Sequence, residues 1–295
     1  MSPNSSVEVA CVVGATLGEG PVWDAAAGVL WFVDIKQRQV HRFTPSTGRL
    51  DSWTAPDQVG WIFPMAGGGY LSGLKTGLFR FDPATGVFAL LTEVEPELPG
   101  NRLNDATVDP FGRVWFGSMD DGESAPSGHF YRADASGIAR VLSGVVITNG
   151  PAVSPAGDLL YHTDTLARVI SVSRIGADGA LWDTRPFVQF DATEGYPDGP
   201  VVDAEGCLWT ALWGGWAARR YSPEGELLQT VRFPAANITK LAFGGPDGTT
   251  VYATSARKGL SEAELAAQPH AGDLFRFSAE TPGLPAYEVA ASLVR

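Results

Sequence analysis

Apolar positions in this chain come in short runs, each closed by a turn rich in glycine, proline or aspartate. The stretch Tyr196-Pro197-Asp198-Gly199-Pro200-Val201-Val202 turns at Glu205-Gly206 and restarts as Cys207-Leu208-Trp209. The same layout recurs from Asn149-Gly150-Pro151 to Gly157 and from Asn104 to Gly112, and a copy one residue longer runs from Glu19-Gly20-Pro21 to Gly28. Turn glycines at Gly28, Gly69, Gly112, Gly157, Gly206 and Gly248 mark a period of about 40–48 residues, the signature of a propeller or an array. Aromatics follow at Trp31, Trp115, Tyr161, Trp209 and Tyr252, and the second unit lacks one. A further strand recurs at Val40–Phe43, Leu78–Phe81, His129–Arg132, Val169–Val172, Arg219–Tyr221 and Leu274–Phe277. Several copies lead into turns such as Asp82-Pro83-Ala84-Thr85-Gly86, where proline and glycine supply the backbone angles. A fourth strand follows most of these turns, as in Leu227–Val231.

Six units of four strands predict an all-β fold, a six-bladed β-propeller forming a single domain over residues 1–295. Inner strands buried on both faces explain the short apolar runs in place of clean alternation. The run Val7–Val13 has no partner in the first unit, so it is expected to pair into the last blade and close the ring. The alternative is that Tyr287–Val294 supplies that outer strand. One helix is predicted, Ser261–Gln268, where Ser261 and Glu264 have capping-box spacing and Pro269 stops the chain.

Composition narrows the class. With 35 Gly, 21 Pro and 18% charged residues, the chain reads as a soluble protein rich in strands and turns. It has no apolar run long enough to span a bilayer, and its first residues lack the pattern of a secretory leader. Two cysteines, Cys11 and Cys207, are too few for a disulfide framework, so a cytoplasmic location is expected. A net charge of −12 argues against nucleic acid as a partner. No membrane partner is expected, and a monomer is.

Standard catalytic motifs are missing: no G-x-S-x-G, H-E-x-x-H, Walker loop, G-x-G-x-x-G or EF-hand loop. His41, His129, His162 and His270 stand singly and read as surface or structural residues. Counting eight positions back from each turn glycine, or nine in the first unit, selects Glu19, Trp61, Asn104, Asn149, Asp198 and Lys240. In a propeller these would ring one mouth of the central channel. Two carboxylates and two amides there make an oxygen-rich pocket suited to a divalent cation. The plain alternative is that each merely satisfies turn amides.

The stretches Gly18–Trp23, Arg102-Leu103-Asn104-Asp105, Thr148-Asn149-Gly150, Pro197-Asp198-Gly199 and the tail from Ala256-Arg257 to Gln268–Gly272 resemble the regucalcin and gluconolactonase family, also called the senescence marker protein family. The resemblance runs from about residue 17 to the C-terminal strand, in chain order. It implies a six-bladed propeller that hydrolyses sugar lactones with one divalent metal in its channel. By that resemblance Glu19, Asn149 and Asp198 are the metal ligands, Asn104 lies near the metal against substrate or water, and Arg102 binds substrate. The repeats select the first four independently; Arg102 comes from the resemblance alone. One departure concerns the glutamate that animal regucalcins keep after the equivalent of Gly117-Ser118-Met119. Here that place falls near Gly122, among Asp120, Asp121 and Glu123. Lys240 has no counterpart carried over from the family.

The expected activity is therefore metal-dependent opening of an aldonolactone, of gluconolactone or xylonolactone type, to the aldonic acid. The metal would polarise the lactone carbonyl, Asp198 would take the proton of the attacking water, and Arg102 with Asn104 would hold the sugar. Three protein ligands fit six-coordinate Fe²⁺, Mn²⁺ or Mg²⁺ more simply than Ca²⁺, and Zn²⁺ is a poorer match to an all-oxygen set. Two rival readings stand beside it. One is a non-catalytic Ca²⁺-binding regulatory propeller; the other is a propeller hydrolase for another ester or lactone.

Overall fold

The structure, a computed structural model, describes residues 6–294; residues 1–5, where no leader is expected, lie outside the described residues. Strand β1 (Glu8–Cys11) comes first. Four four-stranded antiparallel sheets follow. They are β2 (Gly18–Asp24), β3 (Val29–Asp34), β4 (Gln39–Thr44) and β5 (Arg49–Thr54); β6 (Val59–Pro64), β7 (Tyr70–Leu74), β8 (Gly77–Asp82) and β9 (Val87–Glu93); β10 (Asn101–Val108), β11 (Val114–Asp120), β12 (Gly128–Asp134) and β13 (Gly137–Val145); β14 (Thr148–Val153), β15 (Leu159–Asp164), β16 (Val169–Ile175) and β17 (Leu181–Gln189).

The remaining strands are β18 (Tyr196–Val202), β19 (Leu208–Trp213), β20 (Ala217–Tyr221), β21 (Leu227–Arg232), β22 (Ile238–Gly244), β23 (Thr250–Ser255) and β24 (Leu274–Ser278). With β1 they form one eight-stranded sheet, ordered β1-β24-β23-β22-β18-β19-β20-β21. Its two antiparallel halves join through a single parallel bridge, Gly199 to Lys240. The fold is thus all-β and propeller-like. The strands β2, β6, β10, β14, β18 and β22 each pack against the next, and β22 packs against β2.

The core is divided into wedges between neighbouring sheets rather than gathered in one layer. Trp61, Leu71 and Phe116 fill one wedge, Trp31, Ile62 and Phe81 another, and Leu30, Phe32, Tyr252 and Leu274 a third, between the first and last sheets. Each Leu or Phe buried in this way contributes about 1.5–3 kcal/mol. Of the aromatics that follow the turn glycines, Trp31 and Tyr252 sit in two of these wedges, and Trp115, Tyr161 and Trp209 in further clusters. Trp115 and Trp209 also donate their indole N–H to the turn aspartates Asp109 and Asp203, at 2.8 and 3.0 Å.

The N-terminal strand pairs antiparallel with β24, Val9 opposite Phe275. The C-terminal segment is not an outer strand. It leaves β24 and crosses one end of the channel as a strap. Ala204 N–H donates to Pro282 at 2.9 Å, Val289 bridges Met65, and Ala290 N–H donates to Gly112 at 3.0 Å. The helix α1 (Glu262–Ala267) forms where its capping pattern places it, with Ser261 as N-cap and both reciprocal bonds to Glu264 present. Among the described residues no helix is long and apolar enough to cross a membrane.

Candidate active site

The pairing register shifts within each of β2, β6, β10, β14, β18 and β22. In β2, β10, β14 and β18 the irregularity spans Glu19–Val22, Leu103–Ala106, Asn149–Ala152 and Pro197–Pro200. A bulge interrupts the ladder and re-aims the side chains at it; Asn104 and Asp198 fall inside the irregularity, and Glu19 and Asn149 are the last paired residues before it. The Gly-Pro steps after Asn149 and Asp198 serve this geometry. Gly150 has φ 72°, and a Cβ there would lie 2.8 Å from Pro200 Cγ, so neither the backbone angle nor the space suits a larger residue.

Glu19, Arg102, Asn104, Asn149 and Asp198 all line one cavity of about 320 Å³. Trp61 does not. Its strand shifts register between Val59 and Trp61, so the indole falls in the wedge beside Phe63 and Phe116. Lys240 also stays out of this cavity; it lines a second one, of about 100 Å³, behind it. None of the four histidines lines the site. His41 and His162 bond to Ser52 and Ser173, His129 to the Gly128 carbonyl, and His270 to Asp273.

A directed chain of hydrogen bonds sets the amides. Arg102 Nη1 donates to Asn104 Oδ1 at 2.6 Å, and Asn104 Nδ2 donates to Asn149 Oδ1 at 3.1 Å and to the Thr148 carbonyl at 2.5 Å. Asn149 Nδ2 donates to Thr165 Oγ1 at 2.9 Å, and Thr165 donates to the carbonyl of Pro197 at 3.0 Å. Each link has only one workable donor direction, so both amide orientations are fixed. Arg102 is 2% exposed and held through Nε to Asp121 at 2.9 Å. Asp121 also receives Lys36 at 2.6 Å and Gln58 at 3.0 Å.

Glu19 and Asp198 are buried, yet among the described residues each takes a hydrogen bond only from the next backbone N–H. Gly20 donates to Glu19 at 2.8 Å and Gly199 to Asp198 at 2.9 Å. Burial raises the pKa of Glu19 to about 8, with Asp105 adding to the rise. Burial, then the charges of Glu19 and Asp105, raise that of Asp198 well above the carboxylate range. Two buried carboxyls with no cation bonded to them, beside an oriented amide oxygen, form a hard-oxygen set that suits a divalent ion. No group of three or more His, Cys, Asp or Glu side chains able to hold a metal occurs among the described residues, and this set has only two such members.

The acidic cluster separates on folding. Asp120 accepts from the N–H groups of Gly122, Ser124 and Ala125 and builds a turn. Asp121 holds Arg102. Glu123 lines the cavity and pairs with Lys258, which also lines it. Residues missed in the sequence include Thr165, Lys258 and an apolar wall of Met119, Ile147, Leu166 and Trp213. Tyr196 completes that wall with the Arg168 guanidinium 3.8 Å from its ring centre. No spacing signal marks these residues.

Residues 17–257 match the family described as SMP-30/Gluconolactonase/LRE-like region. A 6-deoxy-6-sulfogluconolactonase of Pseudomonas putida is 34% identical over 92% of this chain and 95% of its own. An L-arabinolactonase of Azospirillum brasilense is 38% identical over 88% of this chain and 87% of its own. The crystal structure of a calcium-binding protein, regucalcin, from Agrobacterium tumefaciens superposes with a TM-score of 0.93 at 30% identity, covering 97% of each chain.

Proposed function

The chain belongs to the SMP-30/gluconolactonase/LRE-like family, and from that premise and the cavity's geometry we propose that it is a lactonase opening an aldonolactone to its aldonic acid with one bound divalent ion. One observation carries the reading: two buried carboxyls, without a bonded cationic side chain among the described residues, line one cavity with an oriented amide oxygen. The fold is read as six blades in a single domain, taking the eight-stranded sheet as two four-stranded blades closed by β1.

Glu19, Asn149 and Asp198 would hold the ion. When bound, it supplies Lewis-acid polarisation of the lactone carbonyl and balances the buried charge. Of the candidates Fe²⁺, Mn²⁺, Mg²⁺ and Ca²⁺, the first three suit a site with three protein ligands best. Asp198 is the base. If it holds the ion through one oxygen only, the other is left to take the proton of the attacking water and return it to the ring oxygen as the ester bond breaks; Gly199 N–H fixes Oδ1. Arg102 binds through Nη2, which has no protein partner among the described residues, while Nε and Nη1 are engaged. Asn104 presents a second lone pair of Oδ1 to a sugar hydroxyl and keeps the Asn149 oxygen in place. The Tyr196, Trp213 and Leu166 wall takes the C–H face of the sugar ring.

The regucalcin structure, described as calcium-binding, supports a second reading in which the ion is a regulatory ligand. A panel of pentono- and hexonolactones, assayed by acid release with the spontaneous rate subtracted, separates the two. Ion-free protein should be inactive with unchanged circular dichroism, and one equivalent of a suitable divalent ion should restore turnover. Hydrolysis by rigorously ion-free protein would defeat the mechanism. Loss of the fold on chelation, with no turnover of any lactone, would favour the regulatory reading.

A further inference from the structure

Four of the six channel-facing strands, β2, β10, β14 and β18, line the site; β22 instead carries Lys240. This lysine is 6% exposed and Asp105, its partner, is fully buried. Lys240 Nζ donates to Asp105 Oδ1 and to the Ala106 carbonyl, the latter at 2.9 Å. The other oxygen of Asp105 accepts from Gly150 N–H at 2.8 Å. The lysine stem lies on Gly199, where an added Cβ would come within 2.7 Å of Lys240 Cγ, and Gly199 is also the bridge point between β18 and β22. The pair therefore touches the residue that follows each of three site side chains: Asp105 follows Asn104, Gly150 follows Asn149 and Gly199 follows Asp198.

At this level the two cavities are lined by near-neighbours along the same strands. The front one is lined by Glu19, Asn104, Asn149 and Asp198, and the rear one by Gly20, Ala106, Pro200 and Lys240. The strand is anchored as well: Thr239 donates to the Gly18 carbonyl at 2.6 Å, just before Glu19.

We infer that the Lys240–Asp105 ion pair is the positioning element of the site, a partition across the channel that fixes the strand irregularities bearing Asn104, Asn149 and Asp198 and closes the cavity from behind. A pair serving stability alone is replaceable by apolar residues of similar volume, whereas removing one partner strands a buried charge. That difference supplies the test. Lys240→Met should lower the melting temperature, and the double variant Lys240→Met/Asp105→Leu should recover it. Turnover in the recovered double variant should remain about 100-fold low, as expected for reacting groups misplaced by about 1 Å, with KM within about threefold of wild type. Recovery of kcat together with stability would overturn the inference.

The turnover arm rests on the lactonase reading, so a crystal structure of the double variant gives a second readout. The oxygens of Asn149 and Asp198 should move by about 1 Å; their superposition on wild type would overturn the inference whatever the activity. A wild type inert towards every lactone, with displaced oxygens in the variant, would defeat the functional reading and leave this one standing. Should the double variant fail to fold, Asp105→Asn keeps the shape and the acceptor for Gly150. It should show the same loss of kcat and the same displacement, and wild-type values for both would overturn the inference.

Discussion

Replacing Glu19 by glutamine should stabilise the ion-free protein while destroying its site. The ionised carboxylate is buried among like charges, and its pKa stands at about 8, against 4.5 for a free glutamate. Burial is the largest cause and Asp105 the next; Lys240, the Gly20 N–H and Arg102 oppose them. Between those values the folded state holds a proton that the unfolded state has lost, so stability falls as pH rises through the window. Each tenfold change in proton affinity is worth about 1.4 kcal/mol, so ionised Glu19 costs the ion-free fold about 3–5 kcal/mol from pH 7 to 9. At about 2 °C per kcal/mol for a chain of this length, Glu19→Gln should melt roughly 6–10 °C higher than wild type in chelator near pH 8. The gap should shrink towards pH 5. Added Mn²⁺ should reverse the order, because an ion that binds only the folded state stabilises wild type by mass action and finds one carboxylate fewer in the variant. Thermal melts followed by circular dichroism across pH, with and without ion, measure all three effects. A variant that melts below wild type in chelator at pH 8 would refute the reasoning.

Asp198→Asn keeps a ligating oxygen and removes the base, so kcat should fall by about two to four orders of magnitude while metal content changes less; near wild-type turnover would sink the base assignment. Arg102→Ala should raise KM about 10–100-fold, the worth of a charge-assisted hydrogen bond, with the ion retained by elemental analysis. Loss of the ion would mean that Arg102 acts chiefly through Asn104 and Asn149. Gly283→Ala tests the C-terminal strap, where the new methyl would lie 2.1 Å from Phe243 Cβ. It should destabilise by about 1–3 kcal/mol in denaturant melts and leave the KM of the folded enzyme unchanged.

Much of this protein was legible in the chain because its signals are local. The turn glycines Gly28, Gly69, Gly112, Gly157, Gly206 and Gly248 all adopt positive φ, and the backbone angle a tight turn demands is met within a few residues. The capping box of α1 is local for the same reason. Near-equal spacing within repeats, eight positions for Asn104, Asn149 and Asp198 and nine for Glu19, pointed to one cavity without knowledge of any contact, because neighbouring repeats place equivalent positions together. Trp61 shows where that rule stops. Strand side chains alternate between faces, so a one-residue register shift sends the indole to the wedge instead of the channel. The strap, the split fates of Asp120, Asp121 and Glu123, and the pairs Lys240–Asp105 and Lys258–Glu123 belong to the tertiary structure alone. Each pair joins residues 135 positions apart. Such charges carry no mark of their partner in the sequence, because only the packing of distant strands and loops brings them against each other, burying Lys240 with Asp105 and leaving Lys258 and Glu123 partly exposed.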